Sequence, residues 1–231
     1  VALALVTLLT GCKPSTRVDL HYLSGFVPGS QNIFRPVKIA VPPTTGSAGA
    51  GESDFEVGAI YDADGAAQTH LAVRDGLRTF NNALIKGLAD AGLVPVALDS
   101  NPDDGKPPEG SDFILTSKLE QLEVSKRFEA TQTIHGQYFT MKAVARLKYQ
   151  LKNRDGAEIY SNEISGAESE PPNTVGGEVF LPLETEPAES LSVALSRAVG
   201  LLILDPEFRA ALPRRPLATA HTSTPTPQPA R

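Results

Sequence analysis

The chain has 231 residues, 41% hydrophobic and 21% charged, which is the composition of a globular protein rather than of a disordered or fibrous one. Its formal net charge of −6, with no clustering of Lys and Arg, gives no electrostatic basis for binding nucleic acid. A single cysteine rules out an internal disulfide, and the absence of Trp with 6% aromatics argues against a sugar-stacking site.

The first eleven residues are an apolar run, from Val1 to Leu8, closed by Leu9-Thr10-Gly11 and followed by the lone Cys12. A short apolar run ending in small residues reads as the h-region and cleavage site of a secretory signal, and it is too short to span a bilayer. The sequence opens inside this run, so the signal is expected to be incomplete at its N-terminus. Leu-Thr-Gly-Cys in this position resembles the bacterial lipobox, in which the cysteine is acylated and becomes the first residue of the mature chain. Cys12 is therefore the expected lipidation site and the membrane the expected first partner. Lys13 follows it, and the absence of Asp there resembles lipoproteins sent to the outer membrane, facing the periplasm.

Residues 12–35 are polar, with Pro14 and Pro28, and are expected to form a tether, ordered only where Leu20, Tyr22 and Leu23 touch the domain. Val37 to Val41 alternates and ends at Pro42-Pro43, as a strand does. Thr44 to Gly51 reads as a loop. Phe55 to Tyr61 is a second strand, closed by the turn Asp62-Ala63-Asp64-Gly65. A helix is expected from about Leu71 to Ala91, with Thr69 as N-cap and Gly92 as C-terminal stop. Its apolar stripe is Val73, Leu77, Phe80, Leu84 and Leu88. Val94, Val96 and Leu98 then form a short strand.

After the polar stretch Asp99 to Gly110, apolar residues alternate again. Phe113, Leu115 and Leu119 share one phase and Leu122 and Val124 the other, so a β-bulge is expected near Gln121. Phe139, Met141, Ala143, Ala145, Leu147, Tyr149 and Leu151 form the buried side of a long strand, and Asp155-Gly156 turns the chain into a further strand over Ile159 to Ser165. Ser169 to Glu186 is a Pro/Gly/Glu-rich loop. Pro187 opens a second helix with the stripe Leu191, Leu195, Ala198 and Leu202, and Asp205-Pro206-Glu207 caps a last turn through Leu212. Residues 213–231 are Pro/Thr-rich and expected to be disordered.

Residues 36–212 are thus expected to be one α+β domain, a mostly antiparallel sheet with two helices packed on one face. The lipobox, the helix ending Leu88-Ala89-Asp90-Ala91-Gly92-Leu93, the long strand pair around Leu119 and Leu147, the turn Asn153-Arg154-Asp155-Gly156 and the closing Asp205-Pro206-Glu207-Phe208 together resemble the YajG-like bacterial lipoproteins. The resemblance implies location and fold and brings no catalytic residues. A looser likeness is to the auxiliary lipoproteins of ABC-type transporters, which also anchor an α/β domain to the envelope.

Catalytic and metal motifs find no anchor. The oxygens of Asp99, Asn101 and Asp103 are spaced like the start of a calcium loop, but Gly105 comes one residue late and Gly110 stands where a bidentate Glu belongs. Gly46 to Gly51 lacks the Lys-Ser or Lys-Thr of a phosphate loop. The four histidines have no ligand partners at zinc spacing, and no serine lies in a nucleophile elbow. No catalytic, metal or cofactor residue is expected. The reading is a non-catalytic envelope module that binds an envelope protein partner. The alternatives are a transporter auxiliary subunit holding an apolar ligand between sheet and helices, and a hydrolase whose residues converge only in three dimensions.

One contact surface is expected. If pairing runs from Phe113 to about Arg127 and resumes near Gln137, the ribbon outreaches its covering helices, at ~3.3 Å per strand residue against ~1.5 Å per helix residue. Phe128, Ile134, Tyr138 and Phe139 would then stand near its tip and touch a partner or the membrane. The other possibility is that the strands end earlier and these residues fold back as a loop.

Overall fold

The structure, a computed structural model, describes residues 15–24, 34–46, 55–130, 137–170, 174–175, 178–179 and 187–213. Its centre is a ribbon of two long antiparallel strands, β7 (Phe113–Ala130) and β8 (Gln137–Asn153), paired from Phe113↔Asn153 to Ala130↔Gln137. The strands do not end early. The register slips between Leu119 and Gln121, so a bulge lies where the apolar phase changes. Asn153 Oδ1 accepts the N–H groups of Asp155 and Ala157 and closes the turn into β9 (Glu158–Glu170), which pairs antiparallel with β8.

The other edge of β7 is divided among three short strands, all parallel to it. β2 (Lys38–Val41) pairs at Phe113, β3 (Thr45–Gly46) at Lys118, and β4 (Phe55–Tyr61) from Val124 to Arg127. Outside β4 come β5 (Ala67–Val73), antiparallel to it, and then β1 (Ser15–Val18), parallel to β5. Outside β2 lies β6 (Val94–Ala97), also parallel. The α+β class holds, but the sheet is mixed rather than mostly antiparallel. Alternation reports which face is buried and is silent on direction; direction follows from the crossovers that return the chain to β7. A short separate ladder joins β10 (Thr174–Val175) and β11 (Glu178–Val179), within the stretch expected to be loop.

The first helix, α1 (Gly76–Asp90), begins five residues later than expected. Leu71 to Val73 belong to β5, the return arm of the Asp62–Gly65 turn, so Thr69 caps nothing. Val73 fits the period of either element, and pairing with β4 decided it. Asp75 takes the N-cap place in the left-handed region (φ 50°), with its carboxylate on Arg78. At the other end Gly92 (φ 93°) allows its N–H to reach Ala89 O and that of Leu93 to reach Leu88 O, a Schellman closure.

α2 (Pro187–Leu204) lies across β7, β8 and β9 and packs on α1. It is apolar on most sides because the sheet and α1 bury it from two directions. The approach is close: a Cβ on Gly166 of β9 would stand 2.0 Å from Ala194 O, and one on Gly87 of α1 would stand 2.4 Å from Val199 Cγ1. α3 (Pro206–Ala211) is capped by Asp205, which accepts from Glu207 N–H and Phe208 N–H. Phe208 is buried edge-on between Phe34 and Tyr160.

Residues 12–35 depart furthest from expectation. Leu20 and Tyr22 touch the domain as expected, but the described part of this segment also contributes β1 to the sheet and Val18 and Phe34 to the core. The expected tail, residues 213–231, lies outside the described residues beyond Pro213.

Candidate functional site

Two features meet at the β4–β5 end of the sheet: the last turns of the β7–β8 ribbon and a cleft of about 750 Å³. The cleft exists because the chain leaves β1 sideways, toward α2, instead of continuing along the sheet. Two serines on α2 receive it. His21 N–H donates to Ser192 Oγ (3.0 Å) and Leu23 N–H to Ser196 Oγ (2.9 Å). Four residues apart, these serines share one helix face. They satisfy two backbone donors of an extended segment that has no strand beside it there.

Arg17, Asp19 and His21 form one wall of the cleft; Ile60 and Leu71 form its floor. Lys126 of β7 and Pro187, Ala188 and Glu189 of the first turn of α2 complete it. Charges of both signs thus stand over an apolar base. The lining includes Asp19, His21 and Ser192, but Ser192 is already committed: its hydroxyl donates to Ala188 O (2.6 Å) and accepts His21 N–H. What the cleft offers is a mixed polar and apolar surface. Among the described residues no three His, Cys, Asp or Glu side chains converge as a metal set.

The ribbon end stands beside it. β4 leaves β7 at Arg127 and β9 leaves β8 at Met141, so the pairs from Phe128↔Phe139 to Ala130↔Gln137 run past both flanking strands. The backbones of Phe128 and Phe139 face each other, with Tyr138 one position on. Phe128 is half-buried, and its ring lies 6.0 Å from Lys126 Nζ. Arg127 stacks its guanidinium 5.7 Å from the Tyr61 ring. Cys12 and Ile134 lie outside the described residues, as do the side chains of Tyr138 and Phe139. The ribbon end therefore unites Phe128, Tyr138 and Phe139 along the backbone, but it projects only about 10 Å, three pairs at ~3.3 Å.

The wall made by Arg17 to His21 escaped the sequence reading, which took this segment as tether. Its one advance signal was the pair of serines at 192 and 196 inside an otherwise apolar helix. The loop from Asp99 folds as ordinary turns, with Gly105 N–H on Pro102 O and Lys106 N–H on the carboxylate of Asp104.

The sequence matches no protein-family model and no curated protein. Among solved structures, the fold is similar to that of protein XCC0632 from Xanthomonas campestris, of the DUF330 family. That match has a TM-score of 0.52 and 12% identity over 81% of this chain and 92% of the other. Lipoprotein GNA1162 from Neisseria meningitidis matches at TM-score 0.33 and 15% identity, over 62% of this chain and 89% of that one. A minor lipoprotein from Acinetobacter baumannii matches at 0.35 and 11%, over 77% and 97%. The Xanthomonas protein shares the fold; at this identity the likeness extends no further.

Proposed function

We propose that the chain is a lipid-anchored protein of the bacterial cell envelope, related to the YajG-like lipoproteins and acylated at Cys12. It serves there as a non-catalytic interaction or assembly module for an envelope protein partner. The observation that carries this reading is how soon the fold begins after Cys12. β1 opens at Ser15, leaving only Lys13 and Pro14 between the lipobox cysteine and the sheet. Cleavage ahead of Cys12 would release a domain whose first strand opens at its fourth residue, held at the bilayer with almost no linker. Lys13 supports an outer-membrane address on the periplasmic side.

The transporter-auxiliary alternative, with an apolar ligand between sheet and helices, has less support from the packing of α2. α2 meets the β9 backbone at Gly166, and the neighbouring surfaces are the small residues Ala143, Ala145, Ala194 and Ala198, all buried. A hydrolase that used the cleft would need a nucleophile other than Ser192, whose hydroxyl is engaged with main-chain groups.

The test is fractionation of cells expressing the wild type and Cys12→Ser, with mass spectrometry of the N-terminal peptide. Two or more acyl chains hold a protein stably on a membrane. The wild type is expected in the membrane fraction with an acylated Cys12, and Cys12→Ser in the soluble fraction. Full membrane retention of Cys12→Ser would refute anchoring at this residue. Cross-linking in intact cells then identifies the partner.

A further inference from the structure

The strand register sets the height of the N-terminus relative to the ribbon end. Ser15 stands opposite His70, His70 opposite Ala59 and Ala59 opposite Ser125, so one row crosses β1, β5, β4 and β7. β1 runs parallel to β5, β5 antiparallel to β4, and β4 parallel to β7, which makes β1 antiparallel to β7. The N-terminal end of β1 therefore points toward the ribbon end. Cys12 is three residues before Ser15, within about 10 Å at ~3.5 Å per residue. Phe128 is three residues beyond Ser125 in the same direction. Sideways, Ser15 and Ser125 lie three strand spacings apart, roughly 14 Å at ~4.8 Å each. An acyl chain on Cys12 lies in the bilayer, so the sheet cannot hold its ribbon end far from the headgroups.

We propose that the domain stands on the membrane on this end, with Phe128, Tyr61 and the mouth of the cleft against the lipid interface. The proposal rests on the acylation of Cys12 argued above. The groups gathered there suit a headgroup layer: aromatic rings that are apolar in body, each beside a basic side chain, Arg127 with Tyr61 and Lys126 with Phe128. The turn at the same end carries Asp62 and Asp64, which offset the positive charge. Contact is thus made by rings and side-chain stems rather than by attraction to anionic lipid, and salt affects it little. Across the molecule, the Asn153–Ala157 turn, Ile159 and the edge strand β6 face away from the bilayer and are left for a protein partner.

The chain contains no Trp, so one introduced indole reports alone. Phe128→Trp and Ile159→Trp, each in the acylated mature protein, are reconstituted into phosphatidylethanolamine/phosphatidylglycerol vesicles with brominated acyl chains. Ile159 stands about 40 Å from Phe128 along the ribbon, more than the roughly 30 Å thickness of a hydrocarbon core. Quenching is expected to be several-fold stronger at position 128 than at 159 and unchanged by high salt. Tyr61→Trp repeats the measurement should the substitution at 128 disturb folding. Equal quenching at the two ends, or stronger quenching at 159, overturns the orientation, as does a ribbon end buried in a protein partner and dark to lipid. Mass spectrometry of the same samples separates the two readings. An acylated protein without quenching at 128 or 61 sinks only the orientation; a protein that is never acylated sinks both.

Discussion

The two halves of the β7–β8 ribbon follow the same alternation along the chain and differ in what covers them. In the body half, α2 lies on the sheet and the residues meeting it are small: Ala143 and Ala145 of β8, Gly166 of β9, Ala194 and Ala198 of the helix. In the end half the helix has just begun, the flanking strands stop at Arg127 and Met141, and the surface turns to Tyr61, Lys126, Arg127 and Phe128. A strand face becomes core where a helix can approach its backbone. Where none arrives, the same period leaves the half-buried rings of Tyr61 and Phe128 beside Arg127 and Lys126.

That comparison can be broken most directly in the body. Leu84 of α1 is fully buried, and Leu84→Ala should destabilise by about 2–5 kcal/mol through lost burial and a residual cavity. Asn82→Ala, on the exposed face of the same helix, should change the denaturation midpoint by no more than about 0.5 kcal/mol. Equal effects would mean that the helix buries a different face.

Two glycines sharpen it. Gly166→Ala places a methyl group 2.0 Å from Ala194 O and 2.6 Å from Ala198 N, so α2 must move away from the sheet. Overpacking of this kind costs about 1–3 kcal/mol, and a backbone neighbour puts it at the upper end. Gly65, in the turn at the ribbon end, has open space around it but φ +82°. Gly65→Ala should therefore cost only the left-handed strain of about 1 kcal/mol. Equal costs in urea melts would contradict the difference in packing.

The smallest effect is pH-dependent and belongs to the body. Burial acts to raise the pKa of Asp205, but hydrogen bonds from Asn162, Tyr160 and the N–H groups of Glu207 and Phe208 outweigh it and hold the carboxyl below its usual value. A carboxyl depressed in the folded state adds stability above its unfolded pKa and loses it as pH falls through the folded one. Asp205→Asn should thus cost about 1 kcal/mol at neutral pH, with the gap from wild type narrowing below about pH 4. A gap that stays constant down to pH 3 would show that the charge is not what the cap uses.

Much of the body could be read in advance because its signals are local. The alternation from Met141 to Leu151, the phase change at Gln121, the Asp155-Gly156 turn and the Asp205 cap each declare themselves within a few residues. The ribbon end was partly readable: its strands ran as long as their alternation suggested, and Phe128 fell near the end. β5 was not, since Val73 suits a helical stripe and a strand equally and only pairing with β4 chose between them.

By itself, then, the sequence determined the positions of the long strands and of α2, and the turns and caps between them, because period and turn chemistry act over one element at a time. The tertiary structure alone decided three things: that β2, β3 and β4 lie parallel along one edge of β7, that residues 15–23 are sheet and cleft wall rather than tether, and where β1 begins relative to the ribbon end. Each depends on partners far apart in the chain, such as Ser15 with His70 or His21 with Ser192. No local pattern records such a pairing, since the hydrogen-bonding groups of an extended backbone are the same whichever neighbour satisfies them.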